Sequence, residues 1–154
     1  MTVTFIGHSD APYNIRDELM DIVINLIVNE SANTFYIGTH GNFDDLSYSV
    51  MKEIKLSYPD IEVFVVLAYM PVGKDKLYNT IDTVFPEEVA SALPKYAISK
   101  RNRWMIERSD TVIAYVKREF GGAAKSKKIA IAKNKRIIYL SDARKKNVTG
   151  GSKK

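Results

Sequence analysis

The 154-residue sequence has no cysteine and only two histidines, His8 and His40. Without cysteine there is no disulfide framework, no thiolate zinc site and no cysteine nucleophile, so folding must rest on the core alone. Neither histidine belongs to a metal-ligand spacing motif, so neither a metal nor a required cofactor is expected. No apolar run approaches the roughly 18 to 20 residues that span a bilayer. The N-terminus leads directly into a strand pattern, without the basic stretch and apolar segment of an export signal. The expectation is a cytoplasmic protein without a membrane partner.

Charge of each sign is also scarce in one half of the chain. Residues 1–94 carry 5 Lys and Arg against 14 Asp and Glu, whereas residues 95–154 carry 18 against 4, so the net charge of +5 hides halves of −9 and +14. Such polarity suits an anionic ligand on the basic half, a nucleic acid, or neutralisation within the domain or between subunits. The basic tail, residues 143–154, has no apolar periodicity and is expected to be disordered. Residues 1–142 are left as one domain, since the chain is long enough for a single core and too short for two.

What is present alternates short apolar runs with helical patterns, the signature of βα units around a parallel sheet. Residues 3–6 form a first strand, followed by Ile15, Leu19, Ile22, Val23, Leu26 and Ile27 at helical spacing. Asn14 reads as the cap of that helix, with Asp17 and Glu18 in its first turn. Residues 34–37 form strand two, and Leu46, Val50, Ile54 and Tyr58 mark a helix that Pro59 ends. Residues 61–67, apolar without alternation over Val63 to Ala68, form a strand expected mid-sheet. The segment from about 70 to 95 breaks the pattern and reads as a flap over the site. A helix near 97–108, a strand at 111–115, a helix containing Ile129 and Ala132, and a strand at 136–140 complete the chain. The fold class is α/β: a Rossmann-like three-layer sandwich with a mainly parallel sheet of about five strands.

In open parallel sheets, ligands bind beyond the carboxyl ends of the strands, where turns expose backbone N–H groups. The unusual turns all fall there: Gly7-His8-Ser9-Asp10 after strand one, Gly38-Thr39-His40-Gly41 running on to Asp44 after strand two, and Gly121-Gly122-Ala123 near the fourth. Glycine lets the backbone approach a phosphate, so paired glycine loops suit a phosphate cradle. Arg101 and Asn102, near a helix start, can reach the same cleft, and arginine suits phosphate recognition. Tyr69, at the exit of strand three, is a candidate for stacking on a base, and Lys125 for approaching a phosphate. No catalytic set stands out; Asp44 and Arg101, or Asp10, are the groups an enzyme would use.

Arg101, Met105 and the Asp110-Thr111-Val112-Ile113-Ala114 run resemble the arginine-x3-methionine and aspartate-strand pattern of the LOG-type nucleotide phosphoribohydrolases. The loop from Gly38 to Asp44 resembles the glycine-rich turn of the DprA-type DNA-processing and YpsA-like proteins. With Gly7-His8, Phe43-Asp44, Leu67 to Pro71 and Gly121 to Ala123 in the same order, residues 3–140 are similar to small members of the SLOG superfamily. The hydrolases carry a catalytic glutamate after the second glycine motif; Lys127 or Lys128 stands there in this chain. The interval from Asp110 to Gly121 is also about three residues longer than in those enzymes.

The resemblance implies binding of a nucleotide-derived ligand without turnover, as a sensor or signal-sequestering module of the kind found in phage–bacteria conflict, in a homo-oligomer. The alternatives are a LOG-like N-glycosidase, with Asp44 or Asp10 replacing the glutamate, and DprA-like binding of single-stranded DNA by the basic half.

Overall fold

The computed structural model describes residues 1–70 and 81–141. Six strands form one all-parallel sheet: β1 (Thr2–Gly7), β2 (Thr34–Ile37), β3 (Glu62–Val66), β4 (Asp82–Val84), β5 (Thr111–Tyr115) and β6 (Arg136–Tyr139), in the order β4-β3-β2-β1-β5-β6. The longer helices are α1 (Arg16–Glu30), α2 (Asn42–Ser57), α4 (Ala97–Glu107) and α5 (Gly122–Ala132), and α3 (Glu87–Ala90) is a single turn. The α/β Rossmann-like architecture expected from the alternating pattern is present, with one strand more than the apolar runs indicate.

Successive side chains of a strand point to opposite faces, so a central strand carries apolar residues on both, and the buried Thr4 of β1 satisfies its hydroxyl by donating to Tyr36 O at 3.0 Å. Along β1, Val3 and Phe5 join the core with Leu19, Val23 and Val50 of α1 and α2, while Ile6 packs with Ile106 and Ala130 of α4 and α5. β5 divides in the same way, Ile113 and Tyr115 to the first cluster and Val112 and Ala114 to the second. All five of its residues are buried. The sheet is therefore sandwiched between α1 and α2 on one side and α4 and α5 on the other.

Three expectations need correction. Asn14 does not cap α1; it sits inside a 3-10 turn, Tyr13–Ile15, and the residue preceding the helix is Ile15. Pro12 holds the extended backbone that starts this turn, and Ile15 is wholly buried, so core anchoring sets the helix entry. β4 lies within the segment read as a flap. It pairs with β3 through three residues, two of them exposed, and moves β3 to one position in from the edge. The described part of that segment is packed structure: Val89 of α3 is buried with Ala68 and Ala97. Residues 71–80 and the basic tail beyond 141 lie outside the described residues.

Candidate functional site

The chain leaves β1 toward β2 on one side and later returns to pair β5 on the other. At such a reversal the two flanking connections diverge and open a crevice at the carboxyl ends of the strands. A cleft of about 260 Å³ lies there. Its walls come from the exits of β1 and β2, the first turn of α2, the start of α4, and the loop joining β5 to α5.

Of the residues singled out in the sequence, Gly7, His8 and Ser9 line it from β1, Asp44 from α2, Arg101 and Asn102 from α4, and Gly121, Gly122 and Ala123 from the last loop. Gly38, Thr39, Gly41, Tyr69 and Lys125 do not line it. Gly38 and Thr39 stand behind the wall. Gly41 precedes α2 and packs against Ser9. Tyr69 donates its hydroxyl to Pro94 O at 2.8 Å and meets the ring of His40 edge-on at 5.6 Å. Lys125 is exposed on α5. Lys127 places its ammonium 5.8 Å from the ring centre of Tyr139 in β6, and Lys128 is exposed; neither lines the cleft.

Arg101 is only 1% exposed, which sets its role. Nη1 donates to Thr39 Oγ1 and to Val66 O, both at 3.0 Å, Nε donates to Asn102 Oδ1 at 2.8 Å, and Nη2 lies 3.9 Å from Asp44 Oδ2. Asp44 Oδ2 also accepts the His40 N–H at 2.8 Å. A buried charge must be neutralised and hydrogen-bonded. Here one guanidinium ties the exits of β2 and β3 to α2 and α4. The pair also accounts for Gly38, where a Cβ would lie 2.6 Å from Asp44 Oδ2.

Gly121 differs from Gly38. Its φ is +93°, a region side chains rarely adopt, and a Cβ built on it or on Gly122 would meet nothing within 4 Å. Both are exposed, and α5 begins with no side-chain cap. The first N–H groups of a helix lack intrahelical partners, so the α5 start opens to the cleft with donors and the positive end of a dipole. The first glycine loop packs against protein; the second faces space.

Two residues that the sequence did not single out complete this corner. Arg118 lines the cleft and forms a two-pronged pair with Asp10, Nη2 to Oδ1 at 3.0 Å and Nη1 to Oδ2 at 3.2 Å. The pair holds the exposed Asp10 carboxyl below its ordinary range. Phe120, 69% exposed, also lines the cleft, with the Arg118 guanidinium carbon 5.8 Å from its ring centre. Their signal was the lengthened stretch between Asp110 and Gly121, because both residues fall in it. His40 lines the cleft as well, with Nδ1 3.0 Å from Thr39 Oγ1.

His8 is buried, and its Nε2 accepts the N–H of Lys117 at 2.8 Å and of Arg118 at 3.3 Å. Burial, and then the positive charge of Arg118, lower its pKa below 6.5. Protonation would turn an acceptor into a donor facing two donors. The folded state thus binds its proton less readily than the unfolded chain, and stability present above pH 6.5 is lost as pH falls through the folded pKa. His40 is shifted the same way by burial and Arg101. Thermal melting from pH 7.5 to 5 is expected to show this loss, reduced in His8→Gln; an unchanged acid slope in that variant would contradict the assignment.

No family model and no curated protein matches the sequence. The solved structures similar in fold include two DNA processing proteins. DNA processing protein A (DprA) from Streptococcus pneumoniae superposes with a TM-score of 0.64 at 13% identity, covering 92% of this chain and 50% of that one. DNA processing protein A from Helicobacter pylori, described for its single-stranded DNA binding mode, gives 0.61 at 16% identity, covering 98% and 73%. The chain spans about half the length of the Streptococcus pneumoniae protein. At these identities the likeness is one of fold, in agreement with the Rossmann-like α/β architecture expected from the sequence. Among the described residues, no helix is long and apolar enough to cross a membrane.

Proposed function

We propose that the cleft between the exits of β1 and β5 binds a nucleotide-derived ligand, with its phosphate at the start of α5. The observation that carries this reading is the open Gly121-Gly122 turn beside Arg118 at the reversal of strand order. Backbone donors, the N–H groups that Arg118 keeps beyond its pair with Asp10, and a helix dipole converge there, a combination suited to phosphate. Phe120 beside it offers an aromatic face to a base. Arg101 supports the site from behind, its charge met by Asp44. The absence of a glutamate at the Lys127–Lys128 position and the anchored state of Asp44 favour holding the ligand over cleaving it.

The test is native mass spectrometry and calorimetry with nucleoside monophosphates, cyclic nucleotides and inorganic phosphate. Binding is expected, and Arg118→Ala should weaken it about tenfold or more, as for loss of a charged hydrogen bond. If no anion binds, or if Arg118→Ala binds as tightly as the parent, the reading is wrong. Release of free base from a bound nucleotide would replace it with the N-glycosidase alternative.

The fold likeness to the Helicobacter pylori protein favours a second reading, in which the ligand is one unit of a DNA strand. The exposed Lys100, Arg103, Lys125 and Lys128 on α4 and α5 would accompany the rest of the strand. Affinity for an oligodeoxynucleotide would then fall steeply with salt, whereas a free monophosphate would bind with a shallow salt slope. Self-association through the acidic α1–α2 layer and the basic α4–α5 layer also belongs to the proposal.

A further inference from the structure

Arg101 does more than hold the wall together, because it fixes the direction of one polar group in the cleft. Its Nε can only donate, so the bond to Asn102 Oδ1 settles which way the amide faces: oxygen toward Arg101, nitrogen away from it. Among the described residues, Asn102 Nδ2 has no hydrogen-bond partner, and the residue is half-exposed on the cleft wall. The same guanidinium stands 3.9 Å from the carboxylate of Asp44, which lines the same cleft and can only accept. A buried cation thus links a donor from α4 and an acceptor from α2 that line the same cleft before any ligand arrives. Groups held in place in this way lose little entropy on binding.

We propose that Asn102 and Asp44 recognise the vicinal hydroxyls of a ribose, so that the site takes ribonucleotides in preference to their 2′-deoxy counterparts. Each hydroxyl both donates and accepts, which a paired amide donor and carboxylate acceptor complement. The base is left to the exposed ring of Phe120, next to the glycine turn that would take the phosphate. This inference rests on the nucleotide reading above, names the sugar that reading leaves open, and opposes a deoxyribose strand as the natural ligand.

The experiment compares the four ribonucleoside 5′-monophosphates with dAMP, dGMP, dCMP and dUMP by calorimetry on the full chain, alongside Asn102→Ala. Asn102 is half-exposed, so its removal spares the core, and a melting curve checks folding. The expected result is at least one ribonucleotide bound about tenfold more tightly than its deoxy partner. Asn102→Ala should bring that ratio close to one. Two results overturn the inference while leaving the nucleotide reading in place: equal binding of each ribo and deoxy pair with affinity still sensitive to Arg118→Ala, or a ribo preference untouched by Asn102→Ala. Dependence on base identity without dependence on sugar would reassign the Asn102–Asp44 pair to a base edge. Absence of binding by every nucleotide and by inorganic phosphate overturns both.

Discussion

Replacing Arg101 with alanine is expected to destabilise the protein by about 3 to 5 kcal/mol, because a buried carboxylate is left without its countercharge. The residue is 1% exposed, and its removal also deprives Thr39 Oγ1 and Val66 O of donors. For a chain of this size the melting temperature should fall by roughly 10 °C. A surface arginine would be worth less than about 1 kcal/mol, so a shift of only a degree or two would show that the residue is not buried as described. Arg101→Met combined with Asp44→Asn should recover part of the loss relative to Arg101→Met alone, since it removes both charges together. Arg101→Lys should not restore the parent, because a single ammonium cannot reproduce bonds spread over Nε and Nη1.

Gly7→Ala is expected to be comparably severe for a different reason. A Cβ at this position would sit 2.2 Å from Cγ and 2.7 Å from Cβ of Phe43. Phe43 is wholly buried, and its ring stacks on Tyr115 with centres 6.4 Å apart, so it has no free space into which to retreat. Overpacking of this kind costs about 1 to 3 kcal/mol and sometimes more. The consequence should reach the ligand site, because the next residue, His8, holds the backbone of Lys117 and Arg118. Phosphate affinity of the folded fraction should therefore drop along with the melting temperature. Phe43→Leu in the same chain should return some of both. Parent-like melting of Gly7→Ala would show that the ring does not pack against β1.

The contrast between these two residues indicates what a sequence can convey. β2 and β5 were legible as runs rich in apolar residues bounded by turns, because β5 is buried at every position and β2 at Phe35 and Ile37. β4 was not, since a three-residue edge strand is held by backbone pairing, and Asp82 and Thr83 remain exposed. The glycine turns were legible as turns, but not in what they accommodate. Gly38 makes room for an ion pair between the nearby Asp44 and the distant Arg101, and Gly121 leaves room empty. Arg101 was visible as a charge near a helix start, while its burial depends on Thr39 and Val66, which no local pattern connects to it. Arg118 was one basic residue among the 18 of residues 95–154. Only the fold brings it opposite Asp10.

The Arg101 network also bears on how this region opens. Thr39 after β2, Asp44 in α2, Val66 at the end of β3 and Asn102 in α4 all meet one side chain. None can leave without breaking a bond to the same buried cation, so this side of the crevice should open as a cooperative unit close to the global transition. Among the described residues, no side chain tethers the glycines of the Gly121 turn in a comparable way, so it can fluctuate at far lower cost. The molecule thus joins a stiff jaw to a compliant one, and a ligand entering between them would lose its freedom mainly against the second.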